Sequence, residues 1–228
     1  MNYRGIKNNN FQYKGIALFV LLICLQQFSY AHASVIDLEK MSRTATVFLY
    51  VKLGYQHILP LGIDHILFVL SLFLLNPKLK PILWQATAFT VAHTVTLGLT
   101  MYHVIHPPSA IVEPLIALSI LYVALENIFS PRLKPTRIGI VFLFGLVHGM
   151  GFASALGQLG LPEHAYLVSL LMFNVGVELG QMTVIFAAYF SLALWFGNKT
   201  YYRKAIVIPI SSVIAVVALF WTIQRSFF

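Results

Sequence analysis

Residues 54–75 read GYQHILPLGIDHILFVLSLFLL, an apolar run that is long enough to span a bilayer and that contains the pair Asp64-His65. An ionisable side chain at membrane depth costs several kcal/mol by insertion scales. A sequence that places two of them side by side is expected to neutralise them with a metal, a proton relay or opposite charges. The partners of Asp64 and His65 should therefore lie in the other apolar segments.

The composition is that of an integral membrane protein. Hydrophobic residues make up 59% of the chain and charged residues only 10%. A chain in lipid must satisfy its backbone internally, and apolar runs of about 20 residues without alternation favour helices over a barrel. The sequence therefore predicts an all-α, polytopic membrane helix bundle. The formal charge of +8 comes from short basic clusters between apolar runs. Such clusters indicate which loops face the cytoplasm, so no nucleic-acid partner is expected.

The N-terminal region has the pattern of a cleavable signal peptide at residues 1–33. Basic positions precede an apolar run at 16–25, and Ala31-His32-Ala33 precedes Ser34, as at a cleavage site. An uncleaved first membrane helix is the alternative. Residues 34–56 mix charged and apolar side chains and predict an amphipathic segment at the periplasmic surface. Residues 57–228 then form the transmembrane domain.

Six apolar runs in this domain predict six transmembrane helices, at residues 58–76, 81–103, 109–129, 138–160, 166–196 and 205–224. Lys and Arg occupy the first, third and fifth loops between them and are missing from the second and fourth. The positive-inside rule then predicts a bacterial inner-membrane protein whose mature N-terminus and C-terminus are periplasmic. The lipid bilayer is thus one expected partner, while homo-oligomers and metal-handling accessory proteins stay open.

Polar side chains from four predicted helices share one level of the membrane. The histidines His65, His93 and His148 lie about 7, 10 and 12 residues from the outer ends of their helices, or roughly 10–18 Å at about 1.5 Å per residue. Asn174 and Glu178 fall at a similar depth on the fifth helix. Imidazole and carboxylate donors suit Zn, Ni, Co or Fe(II), so the sequence predicts a site for a divalent transition metal.

The predicted metal ligands are His65, His93, His148, Glu178 and Asp64. As an alternative, Asp64 or Asn174 orients a ligand imidazole through a hydrogen bond. A proton relay without metal and purely structural hydrogen bonding are the other interpretations of this cluster.

Three further residues extend the predicted site along the membrane axis. His57 is placed near the outer mouth, where it passes ions or protons inward. Gln181 continues the polar stripe of Asn174 and Glu178 on one helix face. Glu126, near the inner end of the third predicted helix, is either an inner exit or the partner of a basic residue such as Arg137.

The motifs resemble those of the HupE/UreJ family of hydrogenase and urease accessory proteins, which are regarded as nickel or cobalt permeases. The resemblance rests on GxxHILxxGxDHxLF (54–68), AFTVAHTVTL (88–97), VExLIALSIxYxAxEN (112–127), GLVHGxGFA (145–153) and FNxGVExGQ (173–181). It implies a multi-helix membrane bundle in which the motif around Asp64-His65 handles a divalent metal.

Three functions are compatible with these residues. The leading one is a nickel- or cobalt-type permease with a site open to the periplasm, whose uptake weakens below the unperturbed histidine pKa of about 6.5 because neutral imidazole is the binding form. The second is a zinc-type hydrolase of a lipid, lipoprotein or membrane peptide at the outer leaflet, with Asp64 or Glu178 as general base. The third is a metal sensor or accessory subunit that does not transport. The sequence therefore leaves open whether the protein is an enzyme.

Overall fold

The computed structural model describes residues 41–159, 161 and 165–227. In this part of the chain the helices are α1 (Arg43–Ile58), α2 (Ile63–Leu75), α3 (Leu79–Met101), α4 (Ser109–Phe129), α5 (Arg137–Leu159), α6 (Tyr166–Ala188) and α7 (Ile208–Phe227). A π-helical turn, Tyr189–Ala193, continues α6 to Phe196, and another, Arg203–Val207, precedes α7. The predicted signal peptide at 1–33 lies outside the described residues.

The prediction of an all-α membrane bundle is confirmed. Four helical segments are long and apolar enough to cross a membrane, and α1 and α2 pass the same test as a pair that is bent by 69°. The helix α5 has 23 residues, and its apolar part, Arg137–Ala153, is shorter than the segments that pass this test. The second to sixth predicted membrane helices therefore correspond to helices of the structure within a few residues. The four segments that pass singly are Leu79–Met101, Ser109–Phe129, Tyr166–Phe196 and Arg203–Phe227.

The first predicted membrane helix, 58–76, differs from the structure. The helix α1 ends at Ile58, and the chain is not helical again until α2 begins at Ile63. Pro60 lies in this gap, and a proline has no N–H with which to continue a helical ladder. With 13 residues, α2 is about 20 Å long, which is less than the roughly 30 Å of a hydrocarbon layer. In place of the first predicted membrane helix, the structure therefore has the bent pair α1 and α2, which passes the membrane-span test only as a pair.

The helix α1 packs directly along α6. A Cβ atom on Gly54 would overlap the carbonyl oxygen of Phe173, and a Cβ on Gly176 would overlap the carbonyl oxygen of Val51. Only glycine permits so close an approach of two backbones. Gly54 meets both Phe173 and Val177, and four residues later Ile58 meets Gly180. The contacting positions thus rise together, so α1 and α6 run parallel. Residues 43–56, predicted as a surface segment, thus form part of the packed bundle.

A second glycine contact joins α3 to α5. A Cβ on Gly145 would lie 2.5 Å from the carbonyl oxygen of Phe89, and a Cβ on Gly149 would overlap that of His93. These helices also run parallel, as the second and fourth helices of the predicted topology should. The spacing Gly145-x-x-x-Gly149 thus brings the backbone of α3 close to α5 at the level of a predicted ligand.

Polar contacts at both ends join α4 to α7 in antiparallel orientation. Near one end, Asn127 donates to the hydroxyl of Ser211 over 3.2 Å. Near the other, the guanidinium of Arg225 lies 3.5 Å from the carboxylate of Glu113. Opposite directions for these two helices agree with the alternation predicted for the third and sixth membrane helices.

Candidate metal centre

Three histidines from three helices converge in the bundle. One ring nitrogen from each of His57, His65 and His93 lies within 4.8 Å of the other two. The ring centroids of His57 and His65 are 4.6 Å apart, and that of His93 lies 6.1 and 6.0 Å from them. His65 and His93 are 6% and 0% exposed. The packing of α1, α2 and α3 thus creates a buried cluster of imidazoles, which we call the histidine cluster.

The break between α1 and α2 places His57 in this cluster. In a continuous helix, residues eight apart such as His57 and His65 would be separated by about 12 Å along the axis. Here α1 stops one residue after His57, and the amide of Gly62 donates to the carbonyl of Ile58 over 3.1 Å. A Cβ on Gly62 would overlap the carbonyl oxygen of His57. The sharp turn therefore brings His57 beside His65 rather than to the outer mouth where the sequence places it.

A hydrogen bond from α6 orients the ring of His93. The Nδ1 atom of His93 lies 3.0 Å from Oδ1 of Asn174, whose amide nitrogen donates to the carbonyl of Leu170 over 2.8 Å. The second bond fixes which side of the amide carries the oxygen, so Nδ1 of His93 must be the donor. Its Nε2 then carries a lone pair, and this atom is buried without a hydrogen-bond partner among the described residues. An orienting bond on one ring nitrogen leaves the other as a metal ligand.

His148 lies next to the cluster, and a serine orients it. Its ring centroid is 4.9 Å from that of His65, and its Nε2 atom lies 3.0 Å from the hydroxyl oxygen of Ser119. That hydroxyl donates to the carbonyl of Ile116 over 2.7 Å, so Nε2 of His148 is the donor to it. Its Nδ1 atom is therefore an unprotonated acceptor, also buried and unpaired among the described residues.

The cluster fits a transition-metal cation after small adjustments. Three atoms that lie within 4.8 Å of one another leave a central point at most about 2.8 Å from each, while a metal–imidazole bond needs about 2.0–2.1 Å. Each ring has to move by less than about 1 Å. The Nε2 atoms of His57, His65 and His93 are all buried and without hydrogen-bond partners in the described part of the chain. Buried imidazole nitrogens without protein partners are the donor atoms that a transition-metal cation binds.

Aromatic side chains surround the histidines. The rings of Phe152 and His57 are 3.8 Å apart, and Phe89 lies 5.7 Å from His65 and 6.1 Å from His93. These apolar walls keep bulk water from the ring nitrogens. An apolar shell of this kind strengthens electrostatic interactions inside it and controls access to the site.

The structure does not bring Asp64 into the cluster. Both carboxylate oxygens of Asp64 accept from Nη2 of Arg225, over 3.0 and 3.1 Å. The same guanidinium lies 3.5 Å from the carboxylate of Glu113 and 5.2 Å from the ring of Trp221. Because neighbouring positions on a helix point about 100° apart, Asp64 faces α4 and α7 while His65 faces the cluster. The predicted ligand Asp64 is thus engaged in an ion pair.

Glu178 also lies apart from the three histidines. The hydroxyl of Thr87 on α3 donates to Oε1 of Glu178 over 2.7 Å. This bond joins α3 and α6 near the bundle periphery, where Thr87 is exposed. Among the described residues, the group with ligand atoms within coordination reach contains His57, His65 and His93 and no carboxylate.

A family comparison covers nearly the whole chain. The model of the family described as HupE / UreJ protein matches residues 18–225. The chain belongs to the HupE/UreJ family. No curated protein and no solved structure matches it significantly. The resemblance inferred from the motifs is therefore confirmed, and the histidine cluster is a feature of a HupE/UreJ membrane protein.

The two remaining predicted site residues of this HupE/UreJ protein lie away from the histidine cluster, toward the ends of the helices that adjoin the basic loops. Glu126 lies 3.3 Å from the guanidinium of Arg137, which is only 2% exposed. The pairing alternative for Glu126 is thus the arrangement that the structure contains. Gln181 follows Asn174 by seven residues on the same face of α6, about 10 Å further along the helix. It is fully buried.

Sequence reasoning missed Arg225 and Ser119 as partners of predicted site residues. Arg225 is the only charged residue near the outer end of the last apolar run, and an intramembrane arginine requires a carboxylate partner. This signal indicates an ion pair but not which carboxylate forms it. Ser119 is one of several serines in apolar segments of the chain. Nothing in the sequence distinguishes it, because its bond to His148 depends on how α4 packs against α5.

Proposed function

We propose that this HupE/UreJ protein is a permease for a divalent transition metal of the nickel or cobalt type, which binds at His57, His65 and His93. One observation carries the proposal: ring nitrogens of these residues lie within 4.8 Å of one another, and all three Nε2 atoms are buried and unpaired among the described residues. Neutral imidazole suits nickel, cobalt and zinc, whereas magnesium and calcium prefer oxygen. The family resemblance supports nickel or cobalt.

His148 completes the proposed site as the fourth imidazole. Its unprotonated Nδ1 atom is buried, and its ring is 4.9 Å from that of His65. A rotation that turns Nδ1 toward the cluster supplies a fourth donor, and the bond to Ser119 then has to lengthen. Asp64 is left out of the proposed ligand set because Arg225 binds its carboxylate, and Glu178 because its carboxylate is not within coordination reach of the three histidines.

In the proposed orientation the site is reached from the periplasm. The ion pairs of Arg225 with Asp64 and Glu113 adjoin the cluster on the side that the basic-loop pattern assigns to the periplasm. The basic loops with Lys78, Lys134 and Lys199 lie at the opposite ends of the helices. A periplasmic cation would thus meet carboxylates before it meets the buried imidazoles.

Uptake of labelled nickel or cobalt by cells that express the protein tests the proposal. Loss of an orienting partner of a metal ligand costs about 10–100-fold in affinity, so loss of a ligand in His65→Ala should lower uptake by about tenfold or more. The matched control is His106→Ala, which removes a histidine of the α3–α4 loop. Uptake by His65→Ala equal to that of wild type, at equal expression, would contradict the proposal.

The hydrolase alternative assigns the role of general base to Asp64 or Glu178. Asp64 is held by Arg225, and neither carboxylate belongs to the group with ligand atoms within coordination reach, whereas a general base needs to reach the water or hydroxyl that it deprotonates. This arrangement favours the permease. Cleaved lipid or peptide products that disappear in His65→Ala would instead support the hydrolase. Bound metal without flux or turnover would support the sensor.

A further inference from the structure

Three helices carry a buried polar side chain at a second level of the bundle. Ser71 on α2, Gln85 on α3 and Gln181 on α6 are 0%, 5% and 0% exposed. Each lies six to eight residues from the level of the histidine cluster on its own helix, toward the ends with the basic loops. At about 1.5 Å per residue, this second level is about 9–12 Å inward of the cluster. We call these three residues the inner polar level.

Most polar side-chain atoms of this level are unpaired, while the amide nitrogen of Gln85 donates to the carbonyl of Pro81 over 3.0 Å. The hydroxyl oxygen of Ser71, Oε1 of Gln85 and both amide atoms of Gln181 are buried without hydrogen-bond partners among the described residues. A helical serine or threonine in an apolar setting usually donates to the carbonyl four residues earlier, as Thr90 and Thr94 do. Buried amides and hydroxyls without protein partners generally bind water or an ion.

The inner polar level adjoins the ion pair at the inner end of the bundle. The carbonyl of Ser71 accepts from the amide of Asn127 over 2.7 Å and from the guanidinium of Arg137 over 3.5 Å. Arg137 in turn pairs with Glu126. Buried polar groups therefore occur at three levels, which are the histidine cluster, the inner polar level and the Arg137–Glu126 pair.

We propose that Ser71, Gln85 and Gln181 line the inward route of the cation and hold it, in hydrated form, after it leaves the histidine cluster. This inference rests on the proposed permease function. Neutral hydroxyl and amide oxygens bind a transition metal more weakly than imidazole does, so the level accepts an ion without retaining it. A one-sided pocket, as in a hydrolase or sensor, has no need of such a level.

Thiol labelling tests whether the level is reached by water from the inner side. In a Cys24→Ser chain, which has no other cysteine, Gln181→Cys is compared with Ala124→Cys, a fully buried apolar position of α4. A small cationic methanethiosulfonate is added to inside-out vesicles. Gln181→Cys should react at least about tenfold faster than Ala124→Cys, and saturating nickel or cobalt should slow it. Equal reaction rates at the two positions would overturn the proposal.

A second variant separates the route from the metal site. Gln181→Met keeps side-chain volume but removes the amide, and its control is Gln224→Met, which changes an exposed glutamine of α7. Gln181→Met should lower nickel uptake at least about tenfold while the purified protein binds as much nickel as wild type. Wild-type uptake, or a parallel loss of bound nickel, would overturn the proposal. If His65→Ala binds as much nickel as wild type does, the proposed histidine site is wrong. The labelling rates at residue 181 would still show whether water reaches the inner polar level.

Discussion

At the scale of single residues, the carboxamide of Asn174 determines which nitrogen of His93 faces the cluster. It accepts from Nδ1 and is itself held by the carbonyl of Leu170. Without it, the His93 ring loses both its orientation and its fixed tautomer. In the proposed metal site, Asn174 therefore acts on His93 without touching the metal.

We predict that Asn174→Leu weakens nickel or cobalt binding by about 10–100-fold, the usual effect of losing an outer hydrogen-bond partner of a ligand. Titration calorimetry of the purified protein measures the change. Asn198→Leu, at an exposed position, is the matched control and should bind as wild type does. An Asn174→Leu protein with unchanged affinity and unchanged folding would show that His93 is not a ligand in this orientation.

Residue types and motif spacing were sufficient to predict His65 and His93 as members of a buried cluster. They were not sufficient to place His57 in the cluster. Its depth in the membrane was predicted along a straight helix, whereas the chain turns at residues 59–62. They also could not show that Asp64 faces Arg225, which is 161 positions away in the chain. Contacts of this kind depend on how α7 packs, and periodicity within one helix carries no information about that.

At the scale of the helices, the bent pair α1 and α2 is the element on which the site depends. Its position is fixed by the backbone contact between α1 and α6 at Gly54 and Gly176. Both glycines are visible in the sequence, and small residues of this kind permit close helix packing. Their partner helix could not be predicted, since the charges of residues 34–56 favoured an interfacial helix over a packed one.

We predict that Gly54→Ala destabilises the protein by about 1–3 kcal/mol, because its methyl group would overlap the Phe173 carbonyl and overpacking of this kind has that cost. Gly139→Ala is the control, since a Cβ there meets nothing within 4 Å and alanine is the better helix former. Thermal unfolding in detergent measures both. A Gly54→Ala protein as stable as Gly139→Ala would show that α1 does not pack against α6 as described.

At the scale of the whole molecule, the helix directions agree with the alternation inferred from the basic loops. The parallel pairs α1–α6 and α3–α5 and the antiparallel pair α4–α7 all follow from one orientation of the bundle. Apolar length was thus enough to predict the class of fold and, within a few residues, the positions of the five helices α3 to α7. The break between α1 and α2 escaped prediction because Pro60 and Gly62 are equally typical of the start of a helix.

We predict that the loop after α6 faces the cytoplasm and that the loop between α3 and α4 faces the periplasm. In a Cys24→Ser chain, a membrane-impermeant thiol reagent added to intact spheroplasts should label Ser109→Cys and leave Asn198→Cys unlabelled. Inside-out vesicles should give the reverse pattern, because the basic loops are retained on the inner side. Labelling of Asn198→Cys from outside would invert the proposed direction of transport.

The central claim is that His57, His65 and His93 share one cation, and X-ray absorption spectroscopy of the purified, nickel-loaded protein tests it most directly. We predict scattering from at least three imidazole nitrogens at about 2 Å from the metal. In His93→Ala the number of imidazoles should fall by one, or the metal should be lost. A wild-type spectrum without imidazole scattering, or one that His93→Ala leaves unchanged, would contradict the account.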